Sequence, residues 1–205
     1  ALLEHTRMGL RLAEELGAQQ MITFLLTYQM RAELTMGQLD AMWEHSQAAL
    51  KALSEPQSNG GRCFYLTIRG DLYRLLSNIP LAISNYQEAL AAGRFKWDTF
   101  SAQYRLGLAL ADAGREEEGL RLVEDVVEQA KRLEMAHIYI PAENARALLL
   151  TRLGRIDEAL KVVYAWKSRV YNRHYLNTGV VEDWVMNQEA RQRGDRVAAL
   201  LYIES

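Results

Sequence analysis

Between Tyr104 and Gly114 the apolar residues Tyr104, Leu106, Leu108, Leu110 and Ala111 make a broad hydrophobic surface, and Gly114 ends the run. The next stretch opens on three carboxylates, Glu116, Glu117 and Glu118. It then places Leu120, Val123, Val126 and Val127 at three- and four-residue intervals. That period predicts an amphipathic helix. Carboxylates in its first turn oppose the positive end of the helix dipole, and a glycine before it permits the positive φ that a helix C-terminus often needs. The pattern therefore predicts two helices joined by a tight turn, packed antiparallel. Neither helix can bury its stripe alone, so neighbouring pairs must stack.

The same pattern recurs. Gly114 is followed by Gly119-Leu120, Gly154 by Ala159-Leu160 and Gly194 by Ala199-Leu200, with the three glycines 40 residues apart. Upstream, Gly37 precedes Met42-Trp43, and Ser77 takes the glycine position ahead of Ala82-Ile83; these two are again 40 apart, and 37 residues separate Ser77 from Gly114. Seven residues before the turn stand Gly107, Gly70 and Ala147, midway along each first helix. Glycine inside a helix costs about 1 kcal/mol against alanine, so a close helix approach must offset it. Ala82, Gly119, Ala159 and Ala199 are the expected small partners on the second helix. Ala49, Ala89, Val126 and Trp166 mark the docking position of the next unit. The register predicts one array over 1–205: a partial unit at 1–22, units at about 23–62, 63–99, 100–139 and 140–179, and a partial unit at 180–205.

These residues resemble the tetratricopeptide repeat (TPR) family. The resemblance is carried by Gly70 and Tyr73 with Ala82, Tyr86 and Ala89; by Leu106 and Gly107 with Gly114 and Gly119; and by Gly154 with Ala159. It covers nearly the whole chain and implies an all-α fold, a right-handed superhelical solenoid of antiparallel helix pairs. Departures are clear. A TPR unit has about 34 residues, so these units carry extra length in helices or in turns. The stretch SEPQSNGGR at 54–62 favours a longer loop there. The closing proline of the family is missing from most units, and Trp166 replaces a small residue. Forty-residue units with second helices of this style are similar to the TPR domains of MalT-like bacterial activators and related signalling ATPases.

Composition narrows the chemistry. Of 205 residues, 49% are hydrophobic and 24% charged, as in folded soluble domains. The net charge of −2 lacks the basic excess of a nucleic-acid binder, so direct nucleic-acid binding is not expected. No apolar run approaches a membrane span. A single cysteine, Cys63, forms no internal disulfide, which suits a reducing, cytoplasmic location. The chain starts at Ala1 without a methionine, consistent with an upstream part having been removed. His5, His45, His137 and His174 show no metal-ligand spacing and read as surface or boundary residues. Cys63 opens a first helix with no catalytic partner nearby in sequence and reads as a structural thiol. The stretch KSRVYNRHYLN, 167–177, mixes basic and aromatic residues, which can bind single strands, but reads first as a helix end and inter-repeat linker. No constellation supports an enzyme, and neither a cofactor nor a metal is expected.

TPR resemblance implies that the first helices line a concave face. The candidate groove residues are Arg31, Phe64, Asp71, Arg74, Tyr104, Asn144, Arg152, Trp184, Gln188 and Arg191. Arginine offers a planar donor fork for carboxylates; Phe64, Tyr104 and Trp184 would add apolar contact. The Lys/Asn set of the carboxylate clamp that binds chaperone tails is not reproduced. The sequence thus points to a non-catalytic peptide- or protein-binding, or ligand-sensing, module within a larger bacterial regulatory protein. The alternative is a structural element that self-associates through exposed array ends.

Overall fold

The computed structural model describes residues 2–53, 61–167, 178–195 and 198. Among them every regular element is an α-helix and there is no strand. The pair Ala199-Leu200, most of the basic–aromatic stretch at 167–177, residues 54–60 of the expected loop and the side chain of Trp166 lie outside the described residues. The chain divides into two compact units, Ala1–Leu106 and Gly107–Ser205.

Unit 1 contains α1 (Leu2–Glu15), α2 (Gln19–Thr35), α3 (Leu39–Leu53), α4 (Arg62–Leu75), α5 (Ile79–Ala92) and the larger part of α6 (Lys96–Asp112). Helices α2 with α3, and α4 with α5, form the pairs that the register predicts. Each turn is closed by a residue in the left-handed region, Gly37 at φ 70° and Ser77 at φ 57°. There the Gln38 N–H donates to the Glu33 carbonyl at 2.9 Å and the Asn78 N–H to the Tyr73 carbonyl at 2.8 Å. These bonds satisfy helix-end carbonyls that would otherwise be orphaned. Asn78 also caps α5, accepting from the Leu81 N–H at 3.4 Å. The core is built from the inward stripes: Leu26, Met30, Met42, Ala49, Leu66, Ile68, Leu72 and Ala89 are all buried.

Unit 2 contains the end of α6, then α7 (Glu116–Arg132), α8 (Ala136–Arg152), α9 (Ile156–Lys167) and α10 (Thr178–Gln192). Leu120, Val123, Val126 and Val127 on α7 are buried, as their period requires. The α6–α7 crossing explains the paired glycines. A Cβ on Gly107 would stand 2.7 Å from both the Gly119 carbonyl oxygen and Val123 Cγ2, and one on Gly119 would run into the Gly107 carbonyl. The two backbones touch. Gly70 differs: a Cβ there would meet the Tyr86 ring at 2.5 Å, so an aromatic side chain, rather than the nearby Ala82, uses the space. Extra length sits in helices. From Arg62 to Lys96, the starts of α4 and α6, is 34 residues, but α6 and α7 have 17 residues each and stretch that unit to 40.

Candidate functional site

Side chains of α4, α5 and α6 in unit 1 gather into a polar cluster flanked by aromatics. Asp71 on α4 is its hub. The Tyr86 hydroxyl donates to Asp71 Oδ1 at 2.7 Å, and Arg105 Nε donates to Asp71 Oδ2 at 3.0 Å. Arg105 also donates to the Ser101 hydroxyl and carbonyl at 2.7 and 3.0 Å. Its guanidinium lies 4.6 Å from the centre of the Tyr104 ring. Burial alone would lower the Arg105 pKa, and the Asp71 carboxylate outweighs that, holding the guanidinium charged. Burial, reinforced by the Asp71 charge, pushes the Tyr86 phenol well up, so it stays a donor. Tyr104 itself is only 7% exposed. It belongs to the floor of the cluster, and Arg105, which periodicity passed over, supplies the surface above it.

Phe24 and Tyr28 on α2 meet Phe64 on α4 with ring centres 6.5 and 5.1 Å apart. Phe24 also borders an open hollow at the α1–α2 turn, lined by Gly17, Ala18, Gln19, Gln20 and Met21. Arg31 is exposed on the same helix, near enough to Tyr104 to act on its hydroxyl electrostatically. Arg74 is half-buried and acts on Tyr86 in the same way. Arg69 caps the neighbouring Tyr73, its Nη2 donating to the phenol oxygen at 3.0 Å.

In unit 2 the expected residues divide between α8 and α10, which pack on each other. Arg152 is bound within its own unit: Nη1 donates to Asp112 at 2.7 Å, and Nη2 to the Ala111 carbonyl at 2.6 Å and to Glu116 at 3.4 Å. Asn144 is half-buried, and its Oδ1 is enclosed without a hydrogen-bond partner. On α10, Trp184 and Gln188 are half-buried, Gln188 donates to Asn187 at 3.3 Å, and Arg191 is exposed.

Two further groups bear on chemistry. His45 on α3 reaches Glu33 on α2, Nδ1 to Oε2 at 2.9 Å, and its Nε2 lies 3.0 Å from Gln29 Nε2. Glu33 is 2% exposed, so the imidazole answers a buried carboxylate. Burial first, then the charge of Asp98, pushes the Cys63 thiol up to about 12, the opposite of an activated nucleophile. Asp98, half-buried, is itself raised by desolvation to about 6. Among the described residues no three His, Cys, Asp or Glu side chains converge as metal ligands. No helix among them is long and apolar enough to cross a membrane.

Pairs of antiparallel helices with glycine-closed turns and small residues at the crossing define a TPR-like helical-repeat fold. Solved structures agree. BtubC (BKLC) from P. vanneervenii matches over 100% of this chain and 89% of its own, with a TM-score of 0.70 at 12% identity. The apo quorum sensor NprR from B. thuringiensis matches over 98% of this chain and 62% of its own, with a TM-score of 0.65 at 16% identity. The Rap conjugation gene regulator of plasmid pLS20, solved in complex with the Phr* peptide, matches over 90% of this chain and 53% of its own, with a TM-score of 0.69 at 13% identity. The chain thus spans little more than half the length of the last two. At these identities the likeness is one of fold. No family model and no curated protein matches the sequence.

Proposed function

We propose that the chain is a non-catalytic protein- or peptide-binding module of a larger bacterial regulatory protein, binding through the first-helix faces that TPR arrays turn inward. The observation that carries this reading is the pairing of exposed Tyr28 and Arg31 on α2 with half-buried Phe64 and Arg74 on α4. Core packing explains neither the exposed Arg31 nor Tyr28, which is 47% exposed. Such combinations recur where binding energy concentrates. Similar folds lend support, since one neighbour holds a peptide and another, YrrB, is described as a TPR protein with an unusual peptide-binding site. Arg31, Phe64, Arg74, Trp184 and Arg191 are the proposed contacts, while Asp71, Tyr104 and Arg152 hold the scaffold beneath them.

Selection of a random peptide library on the immobilised chain tests this. The expected result is an enriched set of sequences whose binding weakens about tenfold or more in Arg74→Glu or Arg191→Glu, the loss of a charge-assisted contact. Selection no better than on a blank surface overturns the reading.

A second reading has its own observation. On α1 and in the turn that follows it, the apolar residues Met8, Leu12 and Leu16, spaced by four, are 71%, 56% and 73% exposed. Such a stripe suits self-association.

A further inference from the structure

We infer that the first-helix face of unit 1 reads an extended peptide carrying an apolar side chain and a carboxylate two residues apart, the aromatic shelf of Phe24, Tyr28 and Phe64 taking the first and Arg31 the second. This rests on the peptide-binding reading above and narrows it to one chemistry.

The argument starts on α2. Phe24, Tyr28 and Arg31 follow at intervals of four and three, so they share one stripe of the helix. At about 1.5 Å rise per residue, Arg31 lies roughly 4.5 Å beyond Tyr28 and roughly 10 Å beyond Phe24 along the axis. Side chains on one face of an extended chain repeat every second residue, about 7 Å, which falls between those two values. Phe64 fixes the shelf by contacting both α2 aromatics, and Tyr28 keeps a solvent-facing surface.

Charge selects the second group. Arg105 is committed to Asp71 and Ser101, and Arg69 donates to the Tyr73 hydroxyl. Asp71 already receives Tyr86 and Arg105. Arg31 is exposed and is held by no acid among the described residues, so its planar donor fork can take a ligand carboxylate. A lysine in the ligand would meet the like charge of Arg31 and be repelled. Nucleic acid is disfavoured because a chain of net charge −2 lacks the basic excess that counterion release requires.

The test uses capped peptides of serine and glycine bearing one Phe and one Asp at separations of one to four. Asn and Lys replace Asp in the controls, and binding to the whole chain is followed by fluorescence anisotropy. The expected result is a preference of about tenfold for Phe-x-Asp over Phe-x-Asn, the worth of a charge-assisted bond. Arg31→Glu should erase that preference or turn it toward Phe-x-Lys with an unchanged circular dichroism melt, because the residue is exposed. Phe64→Ala should make Phe-x-Asp no better than Gly-x-Asp. A best separation of three or four, indicating a helical ligand, overturns the inference. So does an acid preference indifferent to Arg31→Glu, or oligothymidylate displacing the peptide through Arg31. If library selection yields binders without this pattern, the narrower inference fails and the broader reading stands; if it yields none, both fall.

Discussion

Glycine performs two different tasks in this chain, and substitution separates them. Gly119 faces the Gly107 backbone, whereas a Cβ on Gly114 would meet nothing within 4 Å, and that residue instead holds a φ of 78°. Gly119→Ala gains about 1 kcal/mol of helix propensity and loses roughly 2–3 kcal/mol to overpacking. It should therefore lower stability by about 1–2 kcal/mol, read as a fall in the urea midpoint. Gly114→Ala should cost about 1 kcal/mol through backbone strain alone, with no change at the helix crossing. Ser77 shows that a turn tolerates that strain. The sequence disclosed the glycines by their spacing. It could not disclose that Gly70 serves a tyrosine ring, because that depends on a side chain sixteen residues away.

Asp98 makes a pH prediction at the same scale. Desolvation lifts its pKa from 3.8 to about 6. Between those values the native state holds more protons than the unfolded chain, so this group makes stability fall as pH rises through the window and leaves it reduced above. Asp98→Asn should therefore be more stable than the parent at pH 7, by roughly 1 kcal/mol once solvent screening of a half-exposed site is allowed for. The difference should vanish below pH 4. Thermal melts of both proteins across that range check it, and a gain that persists at low pH contradicts the argument.

At the scale of elements, α4, α5 and α6 are tied by one carboxylate. Removing Asp71 strands the Arg105 guanidinium in a mostly enclosed place, 16% exposed. Asp71→Ala should cost roughly 3 kcal/mol, the usual penalty for breaking an enclosed ion pair. Tyr86→Phe deletes one hydrogen bond and should cost only about 1 kcal/mol. Chemical denaturation would distinguish them, and equal losses would show that Asp71 is not the hub. The helices themselves were readable from period and turn residues. Their starts were less so, because the 17 residues of α6 begin at Lys96, in a stretch whose polar residues hide the stripe. Arg105 was missed for a related reason: it becomes functional only when α4 brings Asp71 to it, 34 positions away in sequence.

Across the whole molecule, the self-association reading can be weighed by area. Met8, Leu12 and Leu16 expose on the order of a few hundred Å² per copy, the size of patch that ordinary monomers tolerate. A stable interface needs about 1,000 Å² or more in total. The chain should therefore sediment as a monomer from about 1 to 100 μM, concentrations at which a Kd in that range would be visible. A species that grows with concentration and is lost in Leu12→Glu would instead favour assembly.

Apolar period, glycine spacing and helix-end chemistry act over a few residues, and such local preferences can be read along the chain. They were enough to determine an all-α, TPR-like repeat and the positions of its turns. Which polar side chains remain available to a ligand was decided elsewhere. Arg152 and Arg31 look alike in sequence, yet folding ties one to Asp112 and Glu116 and pairs the other with no acid among the described residues. Charge satisfaction depends on neighbours that only tertiary packing supplies.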